Sequence, residues 1–352
     1  MNPKKVLLIF SLKQTFVSKD QKLLTSEGHT VFTLESPPYS DPIRFCWNRI
    51  KEIFLGFYYV LKTDAVISWF NDYHSTAVVF WAQIMGKPSL LIVGGYDAIS
   101  SPKLMYGIFL KNNLRSFLAR WNFKKATEIW VVHKSLEQGC KSAFKQEGTL
   151  SGIRYFLPEL KTRILEVPTV YNFDFWKKEY TKKEKTVLTV ANIPDKRTLL
   201  RKGIPLFIQL AQKLPDYEFT IAGIQKGVLS NTAIPQNITL LGKCSADALK
   251  KEYSKHQFYF QGSLIEGLPN VLCEAMLCEC IPLGNRVFGI PEAIGPTGFV
   301  FEGEKDIKAV GQFIQSIPLD SDLGKQARKR ILHKYSMPLR KRAFENFLNT
   351  IK

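Results

Sequence analysis

Short apolar runs alternate along the chain with longer stretches of helical periodicity, the arrangement that builds parallel sheets joined by crossover helices. Strands are predicted in the first half at 6–10, 30–34, 65–68, 90–93, 129–132 and 164–167. In the second half they are predicted at 187–190, 219–222, 238–241, 258–260 and 281–283. Residues 174–185 lie between the two sets, rich in charge and without apolar periodicity, and mark a linker. The boundary is placed near residue 178, separating units 1–178 and 179–335. A length of 352 residues suits two such units, each with a sizeable core.

Two exclusions follow from the same pattern. Lys4 and Lys5 precede only a five-residue apolar run before polar residues return, which is too short for a leader, and no run approaches the roughly 20 residues that span a bilayer. The chain is expected in the cytoplasm or peripheral on the cytoplasmic face of a membrane. Cysteines at 46, 140, 244, 273, 278 and 280 show no C-x2-C spacing and are read as reduced thiols. Cys273, Cys278 and Cys280, set among Leu272, Met276 and Ile281, read as small buried hydrophobes rather than metal ligands.

The stretch from Gly262 to Met276 carries the most chemical information. Gly267 permits close backbone approach, Pro269 suits a first helical turn, and the apolar run from Val271 continues the helix. Free amides of that turn would face an anion. Glu266 precedes the turn, and Glu274 follows Pro269 by five residues, about 7.5 Å along the axis. Two carboxylates therefore bracket one anion site, and as ionised acceptors they suit the vicinal hydroxyls of a sugar. Taken alone, the spacing favours a capped helix with two solvated carboxylates over a binding site.

This segment resembles the E-x7-E signature of retaining glycosyltransferases of family 4, which have the GT-B fold. Ile281-Pro282-Leu283-Gly284, Gly289 to Ile294 and Thr297 to Val300 follow in the family's order. The resemblance implies two Rossmann-like domains facing a central cleft, with a C-terminal helix of about 336–352 packing back on the N-terminal domain. It implies that Glu266 touches hydroxyls of the donor sugar, that Glu274 binds the nucleotide ribose, and that Gly267, Leu268, Pro269 and Asn270 present backbone to sugar and diphosphate. Lys202 and Gly203 match the family's lysine-glycine pair, so Lys202 would supply a cation to the diphosphate. Asn192 stands where an arginine is frequent, and Arg197 or Arg201 is expected to replace that cation. The implied chemistry is metal-independent transfer with retention, using no cofactor beyond the UDP- or GDP-sugar substrate. Lys202, Glu266 and Asp97 are the expected catalytic residues.

The first half would bind a glycan or lipid-linked acceptor, as in surface polysaccharide or lipopolysaccharide synthesis. Its likeness to the family is weaker. Tyr96, in Gly94-Gly95-Tyr96-Asp97, stands where a histidine is common. Asp97 would either orient a hydroxyl or cap a turn, and His74 either borders the cleft or serves helix entry.

The net charge of +18 is shared between the halves: residues 1–180 hold 24 basic and 15 acidic side chains, and residues 181–352 hold 25 and 16. Residues 103–125 contain no acid, and Lys111, Arg115, Arg120, Lys124 and Lys125 interleave there with Leu114, Phe117, Leu118 and Trp121. A helix of that composition suits an anionic bilayer, as does 44–62 with Trp47, Phe54 and Phe57, although both also fit ordinary core-facing helices. A basic protein binding nucleic acid would share the charge. Glu266 and Glu274 at the centre of the phosphate site oppose a polyanion, and no nucleic acid partner is expected. An epimerase or hydrolase on the same fold would differ in its products.

Overall fold

The computed structural model describes residues 2–230 and 233–350. The strands are β1 (Lys5–Phe10), β2 (Thr30–Glu35), β3 (Ala65–Trp69), β4 (Ser89–Val93), β5 (Ile99–Ser100), β6 (Glu128–Val131), β7 (Leu150–Ser151) and β8 (Arg163–Glu166) in the first half. The second half contributes β9 (Lys183–Ile193), β10 (Glu218–Ile224), β11 (Ile238–Leu241), β12 (His256–Gln261), β13 (Ile281–Asn285) and β14 (Phe299–Phe301). Two six-stranded sheets result, ordered β2-β1-β3-β4-β6-β8 and β11-β10-β9-β12-β13-β14. Every pairing within them is parallel. β5 and β7 form a small antiparallel pair beside the first sheet.

The apolar runs become strands because their residues are covered on both faces: β3 and β4 are buried at every position. Helices Thr15–Ser26, Pro42–Lys62 and Tyr73–Ile84 follow β1, β2 and β3, and Ile204–Lys213 follows the turn after β9. Strand β9 starts at Lys183, inside the tract read as linker, where Lys183 pairs with Glu218 on neighbouring β10 at 2.6 Å.

The predicted helix over 103–125 is corrected. The α-helix covers only Leu114–Lys125, after a single 3-10 turn at Ile108–Leu110, and Asn113 caps it by accepting from Ser116 N at 3.1 Å. The preceding residues turn because Ser101 bridges Tyr106, and Gly107, at φ +110°, packs against the Ile99 carbonyl. Two of the cations assigned to the surface are engaged elsewhere: Arg120 lies 4.7 Å over the Phe109 ring, and Arg115 bonds Asp72 through Nε at 2.7 Å.

The helix Met337–Leu348 returns to the first sheet. Its Arg340, 1% exposed, donates to both oxygens of Asp20 at 2.6 Å and to the carbonyls of Val167 and Pro168. Asp20 also accepts from Trp69 Nε1 at 2.8 Å, and Phe344 packs 4.8 Å from Trp130. The expected helix of 336–352 is thus observed to residue 348, and residues 351 and 352 lie outside the described residues.

Breaking a buried pair strands a charge, which costs about 3–5 kcal/mol. Arg340→Met and Asp20→Ala are each expected to lower the urea midpoint by that equivalent. The double variant should lose less than the sum of the two, because neither charge is then left alone. Additive losses would show that the pair contributes nothing beyond packing.

Candidate functional site

The candidate residues collect where the C-terminal ends of the two parallel sheets face each other, the region in which open α/β sheets bind ligands. From the first half come the turn after β4 (Gly94 to Asp97), His133 after β6, and Lys19 on the helix after β1. From the second come Asn192 at the end of β9, Lys202 and Gly203 between two helices, the loop after β12, and the helix Asn270–Leu277.

Gly203 is the pivot of the lysine-glycine pair. Its φ of +68° is left-handed, and a methyl group there would lie 2.0 Å from the Gly262 carbonyl oxygen. Leu264 N donates to Arg201 O at 2.9 Å, so the two segments are stitched side by side. This register brings the Lys202 ammonium onto Glu266, which also accepts from Ser263 Oγ at 3.2 Å. Ser263 is held in turn by Gln261 Nε2 at 2.7 Å.

Pro269 is the N-cap of the following helix rather than a residue of its first turn, and Asn270 is the first helical residue. The amides of Gly267 and Leu268 make no hydrogen bond among the described residues. Gly267 meets the other half of the molecule directly: a methyl group there would lie 2.4 Å from Gly94 O and 2.8 Å from Val132 Cγ2. Asn270 Oδ1 accepts from Thr169 Oγ1 at 2.9 Å, a second contact between the halves.

Glu274 is buried, with Lys19 Nζ 3.7 Å from its Oε1. Burial pushes its carboxyl up to about 7, against the pull of Lys19. Burial likewise pulls the Lys19 ammonium down, against Glu274, and Lys19 also stands 4.6 Å over the Tyr171 ring. The two E-x7-E carboxylates are thus each matched to one lysine, Glu266 within its own half and Glu274 across the cleft.

Asp97 is placed differently from the hydroxyl-binding expectation. It is fully buried, and its oxygens accept from the amides of Gly94 at 3.2 Å and of Gly95 and Asn71 at 3.0 Å. Burial raises its pKa to about 6 despite those bonds. Asp97 therefore shapes the Gly94–Gly95 turn that Gly267 packs against, and is a positioning residue. His74 is buried at the start of its helix with Nε2 2.9 Å from Trp69 O, which is the helix-entry arrangement.

Of the cations offered in place of an arginine at Asn192, Arg197 is exposed on the short helix Lys196–Arg201, whereas Arg201 stacks 4.5 Å over the Tyr106 ring. Burial holds the hydroxyl of the half-buried Tyr106 well above its ordinary range, with Arg201 pulling against it and Glu266 adding to it. Arg201 thus joins Lys202 at the cleft, and Arg197 and Asn192 remain at its solvent side. An interdomain cavity of about 760 Å³ opens alongside, bordered by Gly203 and Leu264 on one side and Lys103 and Lys145 on the other.

Sequence reading missed Lys19, Tyr106 and a third cluster. His133 Nε2 lies 3.1 Å from Glu292, which also contacts Lys134 at 3.0 Å and Lys334 at 2.5 Å. Against desolvation, these donors pull Glu292 down to about 2. Glu166 completes a group of possible metal ligands within 4.8 Å, but two ammonium groups already neutralise Glu292. The Gly289 to Ile294 stretch was the only sequence signal pointing to this region.

Residues 171–331 match the family described as Glycosyl transferases group 1. No curated protein matches the chain in sequence. Among solved structures, a sucrose-phosphate synthase from Thermosynechococcus elongatus superposes with a TM-score of 0.75 at 13% identity, covering 99% of this chain and 98% of that one. Anabaena HepE in complex with UDP and glucose gives 0.70 at 12% identity, covering 99% and 100%. The catalytic domain of Arabidopsis thaliana starch synthase IV, bound to ADP and acarbose, gives 0.67 at 10% identity, covering 99% of each chain. The chain has the GT-B fold.

The contact at Gly267 sets how closely the halves approach. Gly267→Ala is expected to force them apart at this point, seen as a larger radius of gyration in small-angle scattering and a lower melting temperature. An unchanged radius with unchanged melting would show that Gly94 and Val132 yield locally instead.

Proposed function

We propose that this protein transfers a sugar from a nucleoside diphosphate sugar to an acceptor hydroxyl with retention of configuration, as a member of family 4. In this reading residues 179–335 bind the donor, and residues 1–178 with the C-terminal helix bind the acceptor. The observation that carries it is the Lys202–Glu266 pair beside free backbone amides at the head of the Asn270–Leu277 helix, inside the segment that matches the group 1 family. A diphosphate takes the place of Glu266 on Lys202, and Glu266, released, accepts from sugar hydroxyls.

Breaking the bond between the anomeric carbon and the phosphate oxygen puts negative charge on the departing diphosphate. Lys202, Arg201 and the amides of Gly267 and Leu268 are arranged to stabilise that charge, so the protein supplies by itself the cations the step requires. The acceptor oxygen bonds to the same carbon, and its proton leaves with the phosphate. We read the transfer as metal-independent on this basis. HepE with UDP and glucose supports a uracil nucleotide, whereas starch synthase IV with ADP shows that the fold also accepts adenine, and GDP belongs in the same panel. The acceptor is a glycan or lipid-linked glycan, and the basic, apolar surface that includes residues 103–125 holds the protein to an anionic membrane.

A panel of UDP-, GDP- and ADP-sugars, followed by melting temperature and product analysis, tests the reading. A ligand specific to the folded form adds about 2.7 kcal/mol at a hundredfold excess over its Kd. Stabilisation by none of them would overturn it, and free sugar released at the same rate with and without acceptor would mean a hydrolase.

Ribose binding requires Glu274 ionised, and its pKa of about 7 lies inside the accessible range. Nucleotide affinity is therefore expected to rise from pH 6 to pH 8 as the carboxyl loses its proton. Glu274→Gln should flatten that part of the profile and, by removing charge-assisted bonds of about 1.5–3 kcal/mol, weaken binding roughly ten- to hundredfold at pH 8. Parallel pH profiles for parent and variant in calorimetry would remove Glu274 from the ribose site.

Lys202→Ala should lower kcat more than it raises KM for the donor, because the charge it meets grows toward the transition state. Equal turnover at saturating donor would leave Lys202 with a structural role only.

A further inference from the structure

Lys19 reaches across the cleft to Glu274 and stops short of it. The 3.7 Å between Nζ and Oε1 lies inside ion-pair range but is too long for a hydrogen bond. Among the described residues its buried ammonium nitrogen has no hydrogen-bond partner. Tyr171 presents its ring 4.6 Å away, which attracts the charge without accepting a directed bond. The N–H donors of Lys19 are thus held in a poorly hydrated place and left unspent, whereas Lys202 and Glu266 are in direct contact.

The neighbours of Lys19 leave it Glu274 alone. Asp20, next in the chain, spends its oxygens on Arg340 and Trp69. Burial holds the Tyr171 hydroxyl well above its ordinary range and pushes the Cys273 thiol up to about 12, so both stay neutral. Glu274 is the remaining counter-charge among the described residues that face Lys19. The two side chains are 21% and 8% exposed, so the pair meets solvent at one edge instead of being sealed in the core.

The chemistry of this gap is selective. A carboxylate offers only acceptors and an ammonium only donors. A phosphate between them would suit Lys19 and be repelled by Glu274, and an amine would meet the reverse. A hydroxyl satisfies both, because it donates its hydrogen to Glu274 and accepts from Lys19 through a lone pair. With about 2.8 Å to each partner at a tetrahedral angle, it needs them about 4.6 Å apart, so a shift of about 1 Å along the flexible lysine stem admits it.

We propose that Lys19 and Glu274 together read one hydroxyl of the nucleotide ribose, with Lys19 donating to the same oxygen that donates to Glu274. The proposal rests on the transferase reading and extends its donor site to a residue of the first half. Recognition of the nucleotide then requires both halves in place. A ribose lacking that hydroxyl leaves two charged groups without hydrogen-bond partners.

Calorimetry at pH 8 tests this with UDP, GDP and ADP, followed by the 2′-deoxy and 3′-deoxy counterparts of whichever binds tightest. One of the two deoxy forms is expected to bind about ten- to hundredfold more weakly than the ribonucleotide. Lys19→Met should lower that ratio at least about fivefold by weakening the ribonucleotide, with affinity for the deoxy form near parental. Glu274→Gln removes the charge that Lys19 could tune, and Lys19→Met in that background should still lower the ratio. Circular dichroism confirms folding, and Lys19→Gln takes the place of Lys19→Met if that variant unfolds. Equal affinity of the parent for the ribonucleotide and both deoxy forms would overturn the proposal without any variant. A ratio unmoved by Lys19→Met, or moved only while Glu274 is present, would also overturn it, since Lys19 would then act on Glu274 alone. Binding of none of the ribonucleotides would overturn the transferase reading itself, and this proposal with it.

Discussion

Everything at the cleft depends on backbone meeting backbone. Gly267 abuts the Gly94 carbonyl across the two halves, and Gly203 abuts Gly262 within one of them. With no side chains intervening, the turn after β4, the loop after β12 and the lysine-glycine turn are stacked at van der Waals distance. The positions of Lys202 and Glu266 follow from that stacking. Asp97 serves the same end from beneath, since three amides on one carboxylate fix the shape of the Gly94–Gly95 turn.

The charges of this site are balanced internally. Glu266 faces Lys202, Glu274 faces Lys19 and Asp72 faces Arg115, so none of these charges is left uncompensated in the cleft. A ligand with both phosphates and hydroxyls can exchange partners with these pairs, since it brings acceptors for the lysines and donors for the glutamates. A simple anion satisfies only half of them. Under the proposed function, such pairing would favour a sugar nucleotide over inorganic phosphate.

Much of the fold was legible because parallel strands buried on both faces leave continuous apolar runs. All eleven predicted strands are present, and only β14 and the two-residue strands β5 and β7 were too short to stand out. The error at 103–125 arose because composition says nothing about where a helix begins. That was decided by the Asn113 cap and by the approach of Gly107 to Ile99. At the site, Glu266, Glu274 and Lys202 were visible as a motif, whereas Lys19 and Tyr106 were not. Their roles depend on contacts between halves that are distant in sequence, and neither sits in a local pattern that marks it. Asp97 was visible as a choice between two roles, and its three amide contacts show the turn-shaping one.

The pair between Asp20 and Arg340 spans 320 positions. At a synthesis rate of about 5–20 residues per second, the carboxylate waits roughly 16–64 s for its cation as the chain emerges. During that interval the first sheet has its strands but lacks the helix that covers Trp130, and the second half is made and can fold meanwhile. The nascent first half therefore has reason to need protection from premature association, and the order of completion in the cell runs opposite to the order of the sequence.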